Sequence, residues 1–266
     1  MTLFNAPCAR VLRVPVHVIR LHDVVREMEG WIQDGDGHRW IAVTSSHGIV
    51  EGFKFQEFRQ ILESATLSVP DGKWTARAAA AHLSLEPQQV RGADLMTEFC
   101  ALANVRGYSS YFLGDTNEVL DRLATRLREQ FPSLRIAGTY SPPFRSLRKE
   151  ENDAIIERIN DAKPDVLWVY LGLPKQEGWI YSNRQKLRVP VVIAAGAAAK
   201  FVSGSVSPAP LWIREHGFEW LWRLMREPRR CWRRSLLYGP QFALLAFLEL
   251  AGLRRYDYCD SSPRTE

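Results

Sequence analysis

Residues 165–204 read DVLWVYLGLPKQEGWIYSNRQKLRVPVVIAAGAAAKFVSG, and their pattern decides the fold. Val166 to Leu171 is an apolar run of strand length. It passes into a Gly-Leu-Pro-Lys-Gln-Glu loop and a helix, then a second apolar strand, Val191 to Ala195, which ends in a small-residue turn at Gly196. Two buried strands, each closing on a loop of Gly, Pro and polar residues, are how an α/β protein builds a crevice. In open parallel sheets ligands sit outside the carboxyl ends of the strands.

The same alternation extends outward. Residues 11–20 alternate apolar and polar and read as a strand entering the domain. Asp23 to Gln33 has helical spacing, and residues 33–37 (QDGDG) form a turn. Strands follow at Trp40 to Val43, Thr66 to Val69, Ser109 to Leu113 and Leu134 to Gly138. Helices are expected at Phe55 to Ala65, Asp94 to Val105, Glu118 to Gln130 and Glu150 to Asn160, with a Pro-containing basic loop at Tyr140 to Arg148. Strand, loop and helix in repeated order predict an α/β, Rossmann-like, doubly wound parallel sheet. From Trp212 the pattern changes to helix rich in Trp and Arg. The expected organisation is therefore an α/β domain over 1–211 and a helical C-terminal appendage over 212–266.

Bulk composition narrows the class. The chain has 266 residues, 46 % hydrophobic and 24 % charged, which suits a globular protein with a substantial core. Its formal charge of +5 is concentrated: between Arg214 and Arg234 seven arginines face three glutamates, interleaved with Trp212, Trp220, Trp222 and Trp232. Cys8, Cys100, Cys231 and Cys259 have no metal-ligand spacing and read as thiols of a reducing compartment. No signal peptide is legible, and Phe242 to Leu253 carries Glu249 and falls short of the ~20 apolar residues of a spanning helix. The expected location is cytoplasmic, with surface attachment at the C-terminal end.

Several loops can carry chemistry. Gly114-Asp115-Thr116-Asn117, at a strand end, could set amides and a helix N-terminus against phosphate, or serve only as an N-cap. Neither a GxGxxG fingerprint nor a Walker loop is present. Asp34-Gly35-Asp36 matches a two-carboxylate metal pattern but lies at the wrong end of the sheet; it reads as a surface turn, and no metal or cofactor is expected. Asp71 is held between Pro70 and Gly72 at a strand terminus, where a carboxylate can act as general base or stabilise the turn. Thr44 and Ser46 follow another strand and bring hydroxyls to the same crevice. Lys175 and Gln176 could meet phosphate and sugar hydroxyls, or simply sit where Gly172 and Pro174 end a strand. The tail reads as an amphipathic surface for anionic lipid together with an arginine clamp for diphosphate, rather than as a solvated helix. Its aromatic content and the apolar segment behind it speak against nucleic acid.

Taken in order, these motifs resemble the WecG/TagA/CpsF bacterial glycosyltransferases, glycosyltransferase family 26. The matching pieces are Thr44-Ser45-Ser46, Leu67-Ser68-Val69-Pro70-Asp71-Gly72, Arg91-Gly92-Ala93-Asp94-Leu95, Phe112-Leu113-Gly114, residues 131–138 (FPSLRIAG), Glu151-Asn152 with residues 155–160 (IIERIN), residues 171–180 (LGLPKQEGWI), residues 217–224 (GFEWLWRL) and Glu227-Pro228-Arg229-Arg230. The resemblance implies an inverting, metal-independent enzyme. It would move a sugar from a nucleotide, usually UDP, to a polyprenyl-diphosphate-linked sugar at the inner face of the cytoplasmic membrane. It also implies Asp71 as general base, Thr44 and Gln176 as active-site residues, and Arg226, Arg230 and Arg233 as partners of a diphosphate; it leaves room for homo-oligomers.

The chain departs from the family pattern in places. Ser46 stands where the family usually has Asn. The Gly-Val-Gly-Gly-x-Phe-Asp turn reads Ala194-Ala195-Gly196-Ala197-Ala198-Ala199-Lys200, and Arg-Ala-Pro has become Pro208-Ala209-Pro210. These changes surround the expected donor crevice. They suggest a donor other than N-acetylmannosamine or its uronic acid, with Lys200 suited to an anionic sugar. The rival reading is a catalytically altered sugar-nucleotide-binding or scaffold protein of the same pathway.

Overall fold

The computed structural model describes residues 6–35, 38–207, 209–226 and 232–253. The strands are β1 (Cys8–Val11), β2 (Val14–His17), β3 (Arg39–Thr44), β4 (Leu67–Pro70), β5 (Ser109–Gly114), β6 (Arg135–Tyr140), β7 (Val166–Tyr170) and β8 (Val191–Ala194). The helices of the sheet region are α1 (Leu21–Asp34), α2 (Ser46–Lys54), α3 (Gln56–Glu63), α4 (Lys73–Leu83), α5 (Gly92–Arg106), α6 (Asn117–Gln130), α7 (Lys149–Ala162), α8 (Lys175–Asn183) and α9 (Ala198–Val202). Beyond them lie α10 (Leu211–His216), α11 (Glu219–Arg226), a π-helical turn (Arg233–Tyr238) and α12 (Gly239–Leu250).

Among the described residues the main sheet is six-stranded, in the order β4-β3-β8-β7-β5-β6, with every neighbouring pair parallel. Period-two alternation sorts its side chains to two faces. Trp40, Ala42, Leu113, Leu167, Val169 and Val192 join one core cluster, and Ile41, Val43, Phe112, Trp168, Val191 and Ile193 join the other. α1, α5, α6 and α9 cover the second face, while α2, α3, α7 and α8 cover the first. This is the doubly wound α/β arrangement expected from the sequence. The connection after β5 leads outward to β6 and that after β7 leads the other way to β8, so their loops part at a switch point.

One local expectation is corrected, and two helices stand where the sequence reading placed no element. Residues 11–20 form no single strand: Leu12 and Arg13 turn back in the left-handed region (φ 49° and 72°), so β1 and β2 pair antiparallel in a separate two-stranded sheet. Residues 46–54 form a helix despite two glycines and two β-branched residues. The buried face of Gly48, Ile49, Val50 and Gly52 outweighs the poor intrinsic propensity. The alanine-rich stretch after Gly72 is a further helix, α4, whose Ala78 and Ala79 join the core against the β1–β2 hairpin.

The C-terminal helices are tied to this frame. Phe242 and Ala246 of α12 belong to the first core cluster. Glu249 Oε2 accepts the Leu12 backbone N–H at 3.0 Å and lies 3.2 Å from His82 Nε2 on α4. The Tyr238 hydroxyl donates to Glu51 of α2. Among the described residues no helix is long and apolar enough to cross a membrane.

Candidate active site

Asp71 begins the loop after β4, and that loop is clamped from both sides. Its backbone N–H donates to the Thr44 carbonyl at the end of β3 (3.0 Å), its carbonyl accepts from Gln89 Nε2 (2.8 Å), and the Val90 N–H donates to the Pro70 carbonyl (2.9 Å). The carboxylate itself accepts the backbone N–H of Gly92, the first residue of α5, at 3.3 Å. Gly92 is required here because a Cβ would lie 2.9 Å from the Ala195 carbonyl oxygen; its absence lets the loop after β8 close on the start of α5.

Two cavities meet at this carboxylate. One, of about 510 Å³, lies at the carboxyl ends of the strands and is lined by Asp71, Arg91, Asp115, Gln176, Gly196 and Lys200 among others. The other, of about 660 Å³, lies between α4 and the C-terminal helices, with Thr75, Ala78, Ala81, Trp220, Phe242 and Phe247 in its walls. Ser45, Asp71 and Glu219 line both. The Pro-Lys-Gln turn and Asp71 are therefore on the same side of the sheet.

The polar cavity is organised around a buried amide. Gln176 Nε2 donates to Glu177 Oε1 at 2.9 Å, and Gln176 Oε1 accepts the Gly196 N–H at 3.2 Å, so the loops after β7 and β8 are joined through one side chain. Burial pushes the Glu177 carboxyl up to about 7, against the opposing hydrogen bond from Gln176. Its Oε2 is buried without a hydrogen-bond partner among the described residues. Lys200 Nζ lies 3.5 Å from Asp115 Oδ1. Arg91 bridges Asp94 (2.6 Å) and Glu219 on α11 (3.1 Å), which fastens the appendage to the rim. His47, also in the lining, sits 3.5 Å from Glu51, its ring stacked obliquely on Tyr238 at 4.0 Å.

The residues expected from the sequence are distributed unevenly over this geometry. Asp71, Gln176, Gly196 and Lys200 line the polar cavity, and Ser46 lines the apolar one. Thr44 is buried, its Oγ1 2.8 Å from Ser68 Oγ, so what it gives the site is the carbonyl that holds Asp71. Gly114 adopts φ 110° and lets β5 approach β7, since a Cβ would meet the Tyr170 carbonyl carbon at 2.7 Å. At the start of α6, Thr116 Oγ1 accepts the Val119 N–H (3.3 Å), the N-cap alternative of the two open for that loop. Lys175 is exposed and lines neither cavity. Arg226 is exposed too, its guanidinium 5.0 Å from the Trp222 ring centroid. Arg230 lies outside the described residues, as do Asp36 and the side chain of Arg233. Among the described residues no three His, Cys, Asp or Glu side chains converge as a metal ion needs.

Sequence reasoning missed the roles of Arg91, Glu177, Thr75 and Glu219. The RGADL and PKQE motifs flagged the first two by position without revealing what they touch. Thr75 and Glu219 become legible only once α4 and α11 are seen to share a cavity.

The C-terminal helices also carry the exposed apolar surface. Among the described residues twelve of the eighteen exposed large hydrophobic side chains lie at or beyond Trp212. Of these, Trp212, Met225, Leu244, Phe247 and Leu253 are each at least 60 % exposed. The remaining six are spread over the rest of the described residues.

Comparison with known proteins places the chain. The model of the Glycosyl transferase WecG/TagA/CpsF family matches residues 9–256. Similar curated proteins include the N-acetylglucosaminyldiphosphoundecaprenol N-acetyl-beta-D-mannosaminyltransferases of Staphylococcus aureus (strain MW2) and Bacillus subtilis (strain 168). The first is 28 % identical over 180 residues, 67 % of this chain and 68 % of the relative. The second is 27 % identical over 196 residues, 74 % of each.

Proposed function

The chain belongs to the glycosyl transferase WecG/TagA/CpsF family and is a glycosyltransferase; from that premise we propose that it moves a sugar from a UDP-sugar to a sugar carried on polyprenyl diphosphate. The transfer inverts the anomeric centre without a metal ion and serves cell-envelope or exopolysaccharide assembly at the inner face of the cytoplasmic membrane. The names of the relatives support a prenyl-diphosphate acceptor. The observation that carries the reading is Asp71 in the wall common to a polar and an apolar cavity.

The chemistry follows from that position. The donor occupies the polar cavity, its sugar beside Gln176 and the turn at Gly196. The acceptor hydroxyl comes from the other side and gives its proton to Asp71 as its oxygen attacks the anomeric carbon. The bond from that carbon to the nucleotide diphosphate breaks, and its electron pair leaves with the diphosphate. Attack opposite the leaving group inverts the centre.

The departing charge calls for preorganised cations. Among the described residues the polar cavity has four carboxylates (Asp71, Asp94, Asp115 and Glu219) against Arg91 and Lys200, both already paired. That balance supports a supply of positive charge from the arginine run that begins at the end of α11, with Arg226, Arg230 and Arg233 as its members. Lys200 with Asp115 would govern which sugar is accepted. The exposed Trp, Leu and Phe side chains of the appendage, mixed with arginines, suit attachment to an anionic bilayer surface.

The test is to incubate the full chain with membranes bearing prenyl-diphosphate-linked sugars and a panel of labelled UDP-sugars. Label entering the lipid fraction from at least one donor is expected. Label remaining wholly in the aqueous phase across the panel overturns the reading.

A further inference from the structure

The cavity between α4 and α12 is graded in character along its length. At one end stand Asp71, Ser46, Thr75 and Lys73; at the other are Ala81, Ala243, Ala246, Phe247 and Leu250. From Lys73 to Ala81 the helix α4 spans about 12 Å. Thr75 is a fully buried residue of the cavity wall, and its hydroxyl has no hydrogen-bond partner among the described residues. An orphaned buried hydroxyl costs stability, so its place beside the carboxylate points to a polar group that arrives with a ligand. The apolar end opens among exposed side chains: Phe218, Trp220, Phe247 and Leu250 line the cavity and are also exposed on the surface of the appendage. A water-soluble sugar would leave that end unsatisfied, whereas a bilayer phospholipid would have no use for Asp71. Arg77, whose guanidinium lies 5.0 Å from the Trp74 ring centroid, stands between the two ends in the lining.

We infer that this cavity is the acceptor's channel. The acceptor sugar reaches Asp71 and Thr75, the diphosphate lies along Lys73 and Arg77, and the first segment of the prenyl chain runs between α4 and α12 toward the apolar surface. The inference rests on the proposed transfer to a prenyl-diphosphate acceptor and adds how the chain itself is recognised. Enzyme activity then depends on hydrocarbon length up to the reach of the channel.

Ala81 and Ala243 line the cavity yet are solvent-exposed, so larger side chains there narrow it without invading the core. The experiment compares wild type with A81F and A243F on two acceptors of the same sugar diphosphate, one with a long polyprenyl chain and one with a butyl chain. Wild type should favour the long chain. Each variant should lose about tenfold in kcat/KM on the long-chain acceptor while staying within about twofold on the butyl acceptor. Equal losses on both acceptors, no loss on either, or a wild type indifferent to chain length would overturn the channel. Binding of farnesyl diphosphate, read by tryptophan fluorescence, separates the two levels. Binding that A81F weakens upholds the channel even if no sugar is transferred. Transfer to both acceptors with farnesyl diphosphate binding alike to wild type and variant upholds the glycosyltransferase and refutes the channel.

Discussion

Replacing Glu177 by Gln isolates one buried ionisation beside the buried amide of Gln176. Glu177 sits in the first turn of α8, almost fully buried, and burial raises its carboxyl from 4.5 to about 7. A carboxyl whose folded value exceeds its unfolded value opposes folding once it must ionise. Below pH 4.5 the cost is absent. It accrues as pH rises through the interval to 7 and is complete above it, reaching about 3.4 kcal/mol for such a shift. The neutral amide carries no such term and can still accept the Gln176 N–H. Between pH 5 and pH 8.5 the variant should therefore gain about 2.5 kcal/mol relative to wild type. Urea unfolding at both values, followed by tryptophan fluorescence, measures the difference directly. At pH 5 the two proteins should be of similar stability, and at pH 8.5 the variant should be the more stable. A difference that does not change with pH would refute a buried, raised carboxyl at this position.

Two further perturbations address the frame and the surface. Gly114→Ala forces a Cβ against the Tyr170 carbonyl at a φ of 110°, and should destabilise the fold by about 2 kcal/mol or more, read as a lowered urea midpoint. The paired change L244E and F247E removes two exposed apolar side chains from α12. If they enter the bilayer interface, sedimentation with anionic vesicles should weaken by tenfold or more at unchanged thermal midpoint, at about 1.5–3 kcal/mol per buried side chain; unaltered sedimentation would place the membrane contact elsewhere.

How far the sequence carried varied with how local each signal was. The apolar runs that became β3, β7 and β8 were readable because strands buried on both faces are continuously hydrophobic. Asp71 and Gln176 were readable because they follow such runs directly, and loops after parallel strands share one edge. α2 was not, since Gly48 and Gly52 weaken the helical signal of residues 46–54; its close packing, with Val14, Leu62 and Leu173 beside the two glycines, carries the helix instead. Glu177 looked like one more polar loop residue, and nothing local signals that α8 turns it inward. The apolar cavity was invisible for a deeper reason: its walls bring Ser45, Ser46 and residues of the segment 71–89 together with residues 217–220, Ser235 and α12, and only the folded chain sets them face to face. The same applies to Arg91, whose pairing with Glu219 spans 128 positions.

The central claim is that Asp71 takes the proton of the acceptor hydroxyl. It is tested most directly by single-turnover transfer from a labelled UDP-sugar to a prenyl-diphosphate-linked acceptor, with wild type and Asp71→Asn compared at equal donor occupancy. Asparagine keeps the shape and can still accept the Gly92 N–H, so the urea midpoint and donor affinity should hold while the transfer rate falls by about 10²–10⁴-fold. Transfer by the variant at close to the wild-type rate would contradict the account.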